Sequence, residues 1–311
     1  MEHFTDSAFA SFEGNDYYQA QSYFRLAVKA HPCWETFQNL GAFYEKEGLQ
    51  LRNGHGRSAF KLAEHYLLKA RAIKSDKRTF WELGYLYRGK SKYESALEHF
   101  SEAFATGKPD SISACYCASI CNRLARDTEM LDWSRKAIAI ASKDTVEECM
   151  PLLAFALLFS SSSIIGPELD TLLDGPMREM PWERFVIFTL AGSYDRAASL
   201  VETVWRSFSL NLDEMALLFQ CCHAVGNSSF AAQCCQQRSE QLLEADPSAK
   251  KKQRQLRRLY QDSEYRLQCI AAFRPQISLP RQDCYAEKWD LKIEGLNVPM
   301  PPEQLAAKKK R

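Results

Sequence analysis

The sequence predicts an all-α protein made of helical hairpins that stack on one another. Apolar residues recur at helical spacing through most of the 311 residues, and short segments rich in glycine, proline, asparagine or serine separate the helical stretches. No set of alternating apolar and polar segments indicates a β-sheet. The hairpin rhythm continues to about residue 247, so an α-solenoid is the simplest interpretation.

Residues 79–103 carry the clearest hairpin. They are predicted to form two short helices, each with one apolar face, on either side of a turn at residues 89–92. Gly84 and Ala96 are small at the point where the two helices must approach closely. The apolar positions are Phe80, Leu83, Gly84, Tyr87, Ala96, Phe100 and Ala103.

This spacing resembles the tetratricopeptide repeat, which has W-x2-L-G-x2-Y in its first helix and A-x3-F in its second, followed by proline. Phe80 stands where the family has tryptophan, and the other signature positions of the two helices match. The resemblance implies a right-handed α-solenoid of helix-turn-helix repeats. It also implies that the first helices of successive repeats line a concave groove that binds protein or peptide segments.

The first repeat occupies residues 1–32 and is degenerate. Ala8 stands at the small position of its first helix, and Ala20 and Phe24 follow at the spacing of the second helix. Pro32 ends that helix, because proline cannot continue the backbone hydrogen-bond ladder.

The second repeat opens at Trp34 and contains an insertion. Gly41 and Ala63 are 22 residues apart, which is ten more than the family spacing. We place the extra residues in a loop near residues 48–57, which include the turn-forming sequence RNGHG, and an extra loop is similar to the related Sel1-like repeats. Such a loop either carries partner specificity or is simply tolerated, and both interpretations stay open.

A fourth repeat begins at Ser111 and keeps only the helical spacing, so residues 1–140 contain four tetratricopeptide-like repeats. Residues 141–247 are expected to form degenerate hairpins that preserve the rhythm without the signature. We expect their helices at residues 147–159, 167–173, 182–190, 194–205, 212–224 and 229–245.

Residues 248–273 are predicted to form one further helix, which is strongly basic at its start. Its apolar residues, among them Leu256 and Leu259, suit a capping helix that covers the last hairpin. The alternative is an electrostatic dock for an acidic protein, for RNA or for a membrane surface. The six positive charges fall within nine residues and are Lys250, Lys251, Lys252, Arg254, Arg257 and Arg258.

Residues 274–311 are expected to be an irregular, extended tail. Trp289, Leu291 and Ile293 give it an apolar stretch that can lie on the helical array. The final Lys308–Arg311 is interpreted as a solvated basic end.

Composition excludes several classes of function. The chain is 46% apolar and 25% charged with a net charge of +1, which is typical of a soluble protein and argues against a globally basic nucleic-acid binder. No secretory leader is apparent, and the most apolar run, residues 151–159, is shorter than the ~20 residues of a spanning helix. We therefore expect a cytoplasmic protein with no membrane span.

No known catalytic motif is present, so we expect no enzymatic activity and no cofactor. Most of the eleven cysteines are interpreted as small apolar residues in reduced form. The best metal candidate combines Cys221, Cys222, His223, Cys234 and Cys235. Vicinal cysteines on a helix point about 100° apart, so we favour packing over zinc.

The family's groove positions, counted onto this sequence, give the candidate binding residues. Trp81, Tyr85 and Arg88 lie one helical turn apart and off the apolar face, so we expect one outward stripe. The alternative is that Trp81 packs against a neighbouring helix or the C-terminal segment. The full set of candidates is Gln38, Arg78, Trp81, Tyr85, Arg88, Asn122 and Arg123.

Two functional hypotheses follow from these patterns. The first is a non-enzymatic interaction scaffold, an adaptor or chaperone-like subunit of a complex, that holds an extended partner segment in the groove. The second is a nucleic-acid-associated subunit that uses the basic helix at residues 250–258. The oligomeric state stays open.

Overall fold

The computed structural model describes residues 4–14, 16–50, 56–143, 145–161, 165–246, 248–275 and 279. Within these ranges the chain forms seventeen α-helices and no β-strand, which confirms the predicted all-α class. The helices are α1 (Phe4–Glu13), α2 (Tyr17–Ala30), α3 (Trp34–Gln50), α4 (Gly56–Ile73), α5 (Lys77–Gly89), α6 (Tyr93–Ala105), α7 (Ser111–Arg123), α8 (Asp127–Ile140), α9 (Val146–Ser160), α10 (Pro167–Asp174), α11 (Pro181–Leu190), α12 (Tyr194–Ala198), α13 (Val201–Ser207), α14 (Leu212–Ala224), α15 (Ser228–Ala245), α16 (Lys250–Gln261) and α17 (Ser263–Ala271).

The chain divides into two compact units. The described residues of the first unit lie within residues 1–82 and those of the second within residues 83–282, so the division falls inside α5. The repeat-based divisions at residues 140, 247 and 273 remain predictions. The tail from residue 280 onward, including Trp289 and Lys308–Arg311, lies outside the described residues.

In the first unit, α1 packs on α2, α2 on α3 and α3 on α4. Gly41 of α3 faces Leu67 of α4 so closely that a methyl group at Gly41 would lie 2.7 Å from Leu67 Cγ. The inserted loop is shorter than expected, because α3 continues to Gln50 and α4 begins at Gly56. Residues 51–55 lie outside the described part of the chain.

In the second unit, the first helices of the hairpins form a continuous row. The helix α7 contacts α9, α9 contacts α11, and α11 contacts α14, while α8 packs between α7 and α9. At the end of the row, α16 packs on α14 and α15, and α17 packs on α14. The close approach expected at Gly84 is present, since a methyl group there would lie 2.8 Å from the Phe100 ring.

Four hairpins of the second unit share one turn. In each, a single residue has a left-handed backbone, and the next residue donates its N–H to the carbonyl oxygen five residues earlier, which is the geometry of a Schellman cap. These N···O distances are 2.8, 2.9, 2.8 and 2.7 Å for Lys92, Arg126, Ser193 and Asn227. The left-handed residues are Ser91, Ala125, Gly192 and Gly226.

Two helices predicted as continuous are broken. The helix expected over residues 248–273 ends at Gln261, and Asp262 has an extended backbone and caps α17 by accepting from the N–H of Tyr265. The helix expected over residues 194–205 is interrupted near Ser199, whose hydroxyl donates to the Arg196 carbonyl. Both interruptions follow from side-chain bonds that compete with the helical ladder.

Among the described helices, none has the length and apolar character needed to cross a bilayer.

Candidate functional site

The helix α7 is fixed at both ends, and this positions the side chains of the site. Its N-terminus is capped by Asp110, whose carboxylate accepts from the backbone N–H of Ser113 at 2.7 Å and from its hydroxyl at 2.8 Å. Its C-terminus closes in the shared turn at Ala125. Because α6, α8 and α9 surround the helix, most of its side chains are buried.

An aromatic cluster lies near the middle of α7. The Tyr116 ring stacks on Phe100 with centroids 4.6 Å apart, and Tyr85 meets Tyr116 edge to face at 5.1 Å. The guanidinium of Arg88, an exposed residue, lies 5.5 Å from the centre of the Tyr116 ring. Tyr85 is only 4% exposed, so the expectation that it points outward with Trp81 and Arg88 is wrong.

Described residues of the chain's own C-terminal segment, residues 273–275 and Leu279, contact this part of α7. The Asn122 amide donates to the Pro275 carbonyl oxygen at 2.9 Å, and the Tyr116 hydroxyl lies 3.4 Å from the Leu279 carbonyl oxygen. Both contacts join residues more than 150 positions apart in sequence. Asn122 itself is buried, so its amide nitrogen is committed to a backbone group and does not face open solvent.

The same segment places Arg274 in a two-sided contact. Its guanidinium donates two hydrogen bonds to the Asp127 carboxylate, at 2.6 and 3.2 Å. It also lies 4.1 Å from the centre of the Phe159 ring. A planar guanidinium that meets a carboxylate at its edge and an aromatic ring at its face is a geometry that lysine does not reproduce.

A cleft of about 460 Å³ lies beside this contact. It combines the cationic side chains of Arg123 and Arg274 with the acidic Asp213 and Glu214 at the start of α14. Glu214 is engaged locally, because it accepts from the backbone N–H of Asn211 in a capping box. The lining residues are Arg123, Asn211, Asp213, Glu214, Cys269, Ala272, Phe273 and Arg274.

The candidates in the first unit differ in accessibility. Gln38, expected to line an open groove, is fully buried, and its side-chain oxygen lies 3.3 Å from the Thr79 hydroxyl that donates to it. Arg78 and Trp81 are half-buried on α5. Gln38 therefore packs inside its unit, and this corrects the expectation that it lies open to a partner.

The basic helix α16 has one buried and one exposed side. Leu256 and Leu259 are buried where α16 packs on α14 and α15, as a capping helix requires. Arg258 is 4.0 Å from the centre of the Tyr265 ring and lies within 3.4 Å of the Asp262 carboxylate. All six basic residues of this helix are exposed: Lys250, Lys251, Lys252, Arg254, Arg257 and Arg258.

The cysteine-rich hairpin α14–α15 is a packed interior. Burial raises the pKa of the Cys221 and Cys234 thiols to about 12 and that of Cys222 to about 11, which favours the protonated form that binds metals poorly. His223 lies at the end of α14, near Ser228 and the Tyr260 ring. In the described residues no group of three or more histidine, cysteine or acidic side chains has a geometry suited to a metal ion.

A second thiol pair lies between α7 and α9. The sulfur atoms of Cys115 and Cys149 are 3.2 Å apart, and both residues are buried. The hydrogen bond that the Cys115 thiol donates to Cys149, together with burial, raises the pKa of Cys115 far above its usual range, because both favour the protonated thiol.

Comparison by sequence gives no matching family model and no matching curated protein. Comparison by structure gives a tetratricopeptide repeat protein from Parabacteroides merdae ATCC 43184, with a TM-score of 0.58 and 12% identity over 86% of this chain and 96% of the other. A structure of Pseudomonas aeruginosa pilF aligns with a TM-score of 0.48 and 13% identity over 84% and 95% of the two chains. The first likeness establishes a tetratricopeptide-like repeat fold, in agreement with the resemblance seen in the sequence.

Sequence reasoning missed four residues that shape the site: Tyr116, Asp127, Phe159 and Arg274. Each has an ordinary local context, since Asp127 begins a helix and Arg274 follows one. The only local signal is the arginine–proline step after α17, which predicts an extended backbone. Nothing in the sequence connects that step to α7.

Proposed function

We propose that the protein is a non-enzymatic interaction scaffold, an adaptor or chaperone-like subunit of a cytoplasmic complex. It binds an extended segment of a partner protein along the first-helix face, by which we mean the surface of α7, α9 and the start of α8 around Asn122, Tyr116 and Asp127.

The observation that supports this proposal is the way in which the face contacts Pro275 and Leu279 of the chain itself. Asn122 and Tyr116 contact main-chain carbonyl oxygens, which every peptide offers. Contacts of this kind bind an extended chain with little dependence on its side chains, and specificity then comes from pockets beside it. The Asp127–Phe159 pair supplies one such pocket.

The rim of the face supplies exposed cations. Arg88 and Arg123 are both exposed, at α5 and at the end of α7. Exposed rim charges steer a partner and select it more than they add affinity. The proposal therefore assigns recognition of the main chain to Asn122 and Tyr116, and selection of the partner to the two arginines.

The test is affinity purification of the tagged full-length chain from its native source, followed by mass spectrometry. The double variant Arg88→Glu and Arg123→Glu is expected to lose the partner that the unchanged chain retains. The matched control is Arg135→Glu and Arg206→Glu, two exposed arginines on second helices of the hairpins. Capture of the same partner by the Arg88/Arg123 variant would reject the site.

The exposed charges of α16 favour a second candidate function, a nucleic-acid-associated subunit. At 100° per residue, Lys250, Lys251, Arg254, Arg257 and Arg258 fall within about 120° of the helix circumference. A single RNA strand that contacts five of these charges would show a slope of log K against log salt of about −3.5. RNA binding that is insensitive to salt, or that survives replacement of the six basic residues by Gln, would reject it.

A further inference from the structure

The C-terminal segment also indicates what chemistry the first-helix face selects, and this inference rests on the proposed function. We propose that residues 273–275 are an internal occupant of the face. The partner segment that replaces them carries an arginine followed directly by a proline.

The arginine requirement follows from the pocket that Arg274 fills. Asp127 accepts two hydrogen bonds from the guanidinium, and Phe159 covers its flat side at 4.1 Å. A lysine ammonium is a point charge that lacks the paired N–H donors and the planar face of a guanidinium. It therefore reproduces at most one of the two contacts, the one with Asp127 or the one with Phe159. The pocket therefore discriminates between the two basic residues.

The proline requirement follows from burial and backbone geometry. Pro275 is buried, and its carbonyl oxygen accepts from Asn122. Since proline has no N–H, burying it leaves no unpaired backbone donor. Proline also biases Arg274 toward an extended backbone, which is the conformation a chain needs to lie along a helix row.

The internal occupant can compete with a partner segment for the first-helix face, and it can also be displaced from that face. Arg274 follows the end of α17 at Ala271 by three residues, so its effective concentration at the pocket is high, on the order of mM for a short tether. The ion pair is nevertheless partly open to water, with 27% of the Arg274 side chain and 29% of Asp127 exposed. Because the pocket is reached from solvent, a free segment of matching chemistry is able to compete for it.

The experiment uses the full-length chain and a fluorescent peptide with the sequence of residues 271–279, AAFRPQISL. Binding is measured by fluorescence anisotropy. If the internal segment fills about nine-tenths of the sites, Arg274→Ala in the protein should tighten binding of the peptide about tenfold. Adding Asp127→Asn to that variant should remove the gain, and a peptide with Lys in place of Arg should bind far more weakly.

The matched control is Arg258→Ala, which removes another arginine held by a carboxylate and an aromatic ring. It should leave the affinity for the peptide unchanged. A folded Arg274→Ala chain that binds no more peptide than the unchanged protein would overturn the proposal. If Arg274→Ala fails to fold, Arg274→Lys keeps the charge and should give a smaller gain in affinity, and the absence of any gain there would overturn it equally.

The two proposals fail in different ways. Equal capture of the native partner by the unchanged chain and by Arg274→Ala, with no gain for the peptide, rejects the internal occupant and leaves the scaffold function standing. In the opposite outcome, Arg274→Ala gains affinity for the peptide while the Arg88/Arg123 variant captures as much partner as the unchanged chain. That result supports the internal occupant and rejects the role of Arg88 and Arg123 in selecting the partner.

Discussion

The hairpins α5–α6 and α14–α15 make the same turn with different interiors. In α5–α6, Gly84 lies directly against the Phe100 ring, as the repeat signature predicts. The interior of α14–α15 contains no such glycine, and buried cysteines such as Cys221 and Cys234 fill it. Both nevertheless close with the same left-handed residue and the same N–H to carbonyl bond. The shared turn therefore persists where the repeat signature has been lost.

A comparison of α3–α4 with α5–α6 shows that the close helix pairing tolerates an insertion. Gly41 and Leu67 are 26 residues apart in sequence, and Gly84 and Phe100 are 16 apart. In both pairs, a methyl group added at the glycine would nevertheless lie less than 3 Å from the partner's side chain. The ten inserted residues leave the point of close approach unchanged. Most of the added residues extend the two helices, since α3 continues to Gln50 and α4 begins at Gly56, so they lie beyond the point of close approach.

The largest expected effect comes from filling the close approach in α5–α6. Gly84→Ala should destabilise the protein by up to about 2 kcal/mol, because overpacking costs about 1–3 kcal/mol and the gain in helix propensity returns only about 1 kcal/mol. Urea denaturation measures the change. Phe100→Leu in the same chain should recover part of the loss, and equal stability of Gly84→Ala and the unchanged protein would contradict the packing account.

A smaller effect tests the shared turn. Gly226→Ala forces a side chain into the left-handed region and should cost about 1 kcal/mol. The reverse change, Ala125→Gly, relieves that strain but adds freedom to the unfolded chain, so it should stabilise by less than about 1 kcal/mol. Thermal and urea unfolding should give opposite signs for the two variants. If both variants changed the stability in the same direction, the two hairpins would not share the same strained turn.

The smallest expected effect is a dependence of stability on pH that only the α14–α15 hairpin should show. Three residues before the left-handed position, α5 has Arg88 and α14 has His223. Burial, reinforced by the charge of Arg266, lowers the pKa of His223 below its usual value. The folded protein therefore binds fewer protons there than the unfolded chain, and stability is lost as the pH falls through the unfolded pKa of about 6.5.

The measurement is the unfolding midpoint at pH 7.5 and 5.5 for the unchanged protein and for His223→Gln. The unchanged protein should lose more stability over this range than the variant, and a parallel response of both would contradict the assignment.

The sequence predicted the local features because their causes are local. The period of apolar residues, the breakers at residues 89–92 and the small Gly84 all act within one hairpin. The two interrupted helices were missed because capping by Asp262 and the bond of Ser199 compete with the ladder by small free energies that a periodic pattern does not show.

The sequence alone determined the helical class, the hairpin rhythm and the resemblance to tetratricopeptide repeats. Tertiary structure decided that Tyr85 is buried by Phe100 and Tyr116, and that Arg274 reaches Asp127 across 147 positions of sequence. Helical periodicity depends on residues three and four positions apart in sequence. These contacts depend instead on how successive helices stack and on where the chain meets α7 again after α17. Each residue in them is locally ordinary, so only the folded chain brings them together.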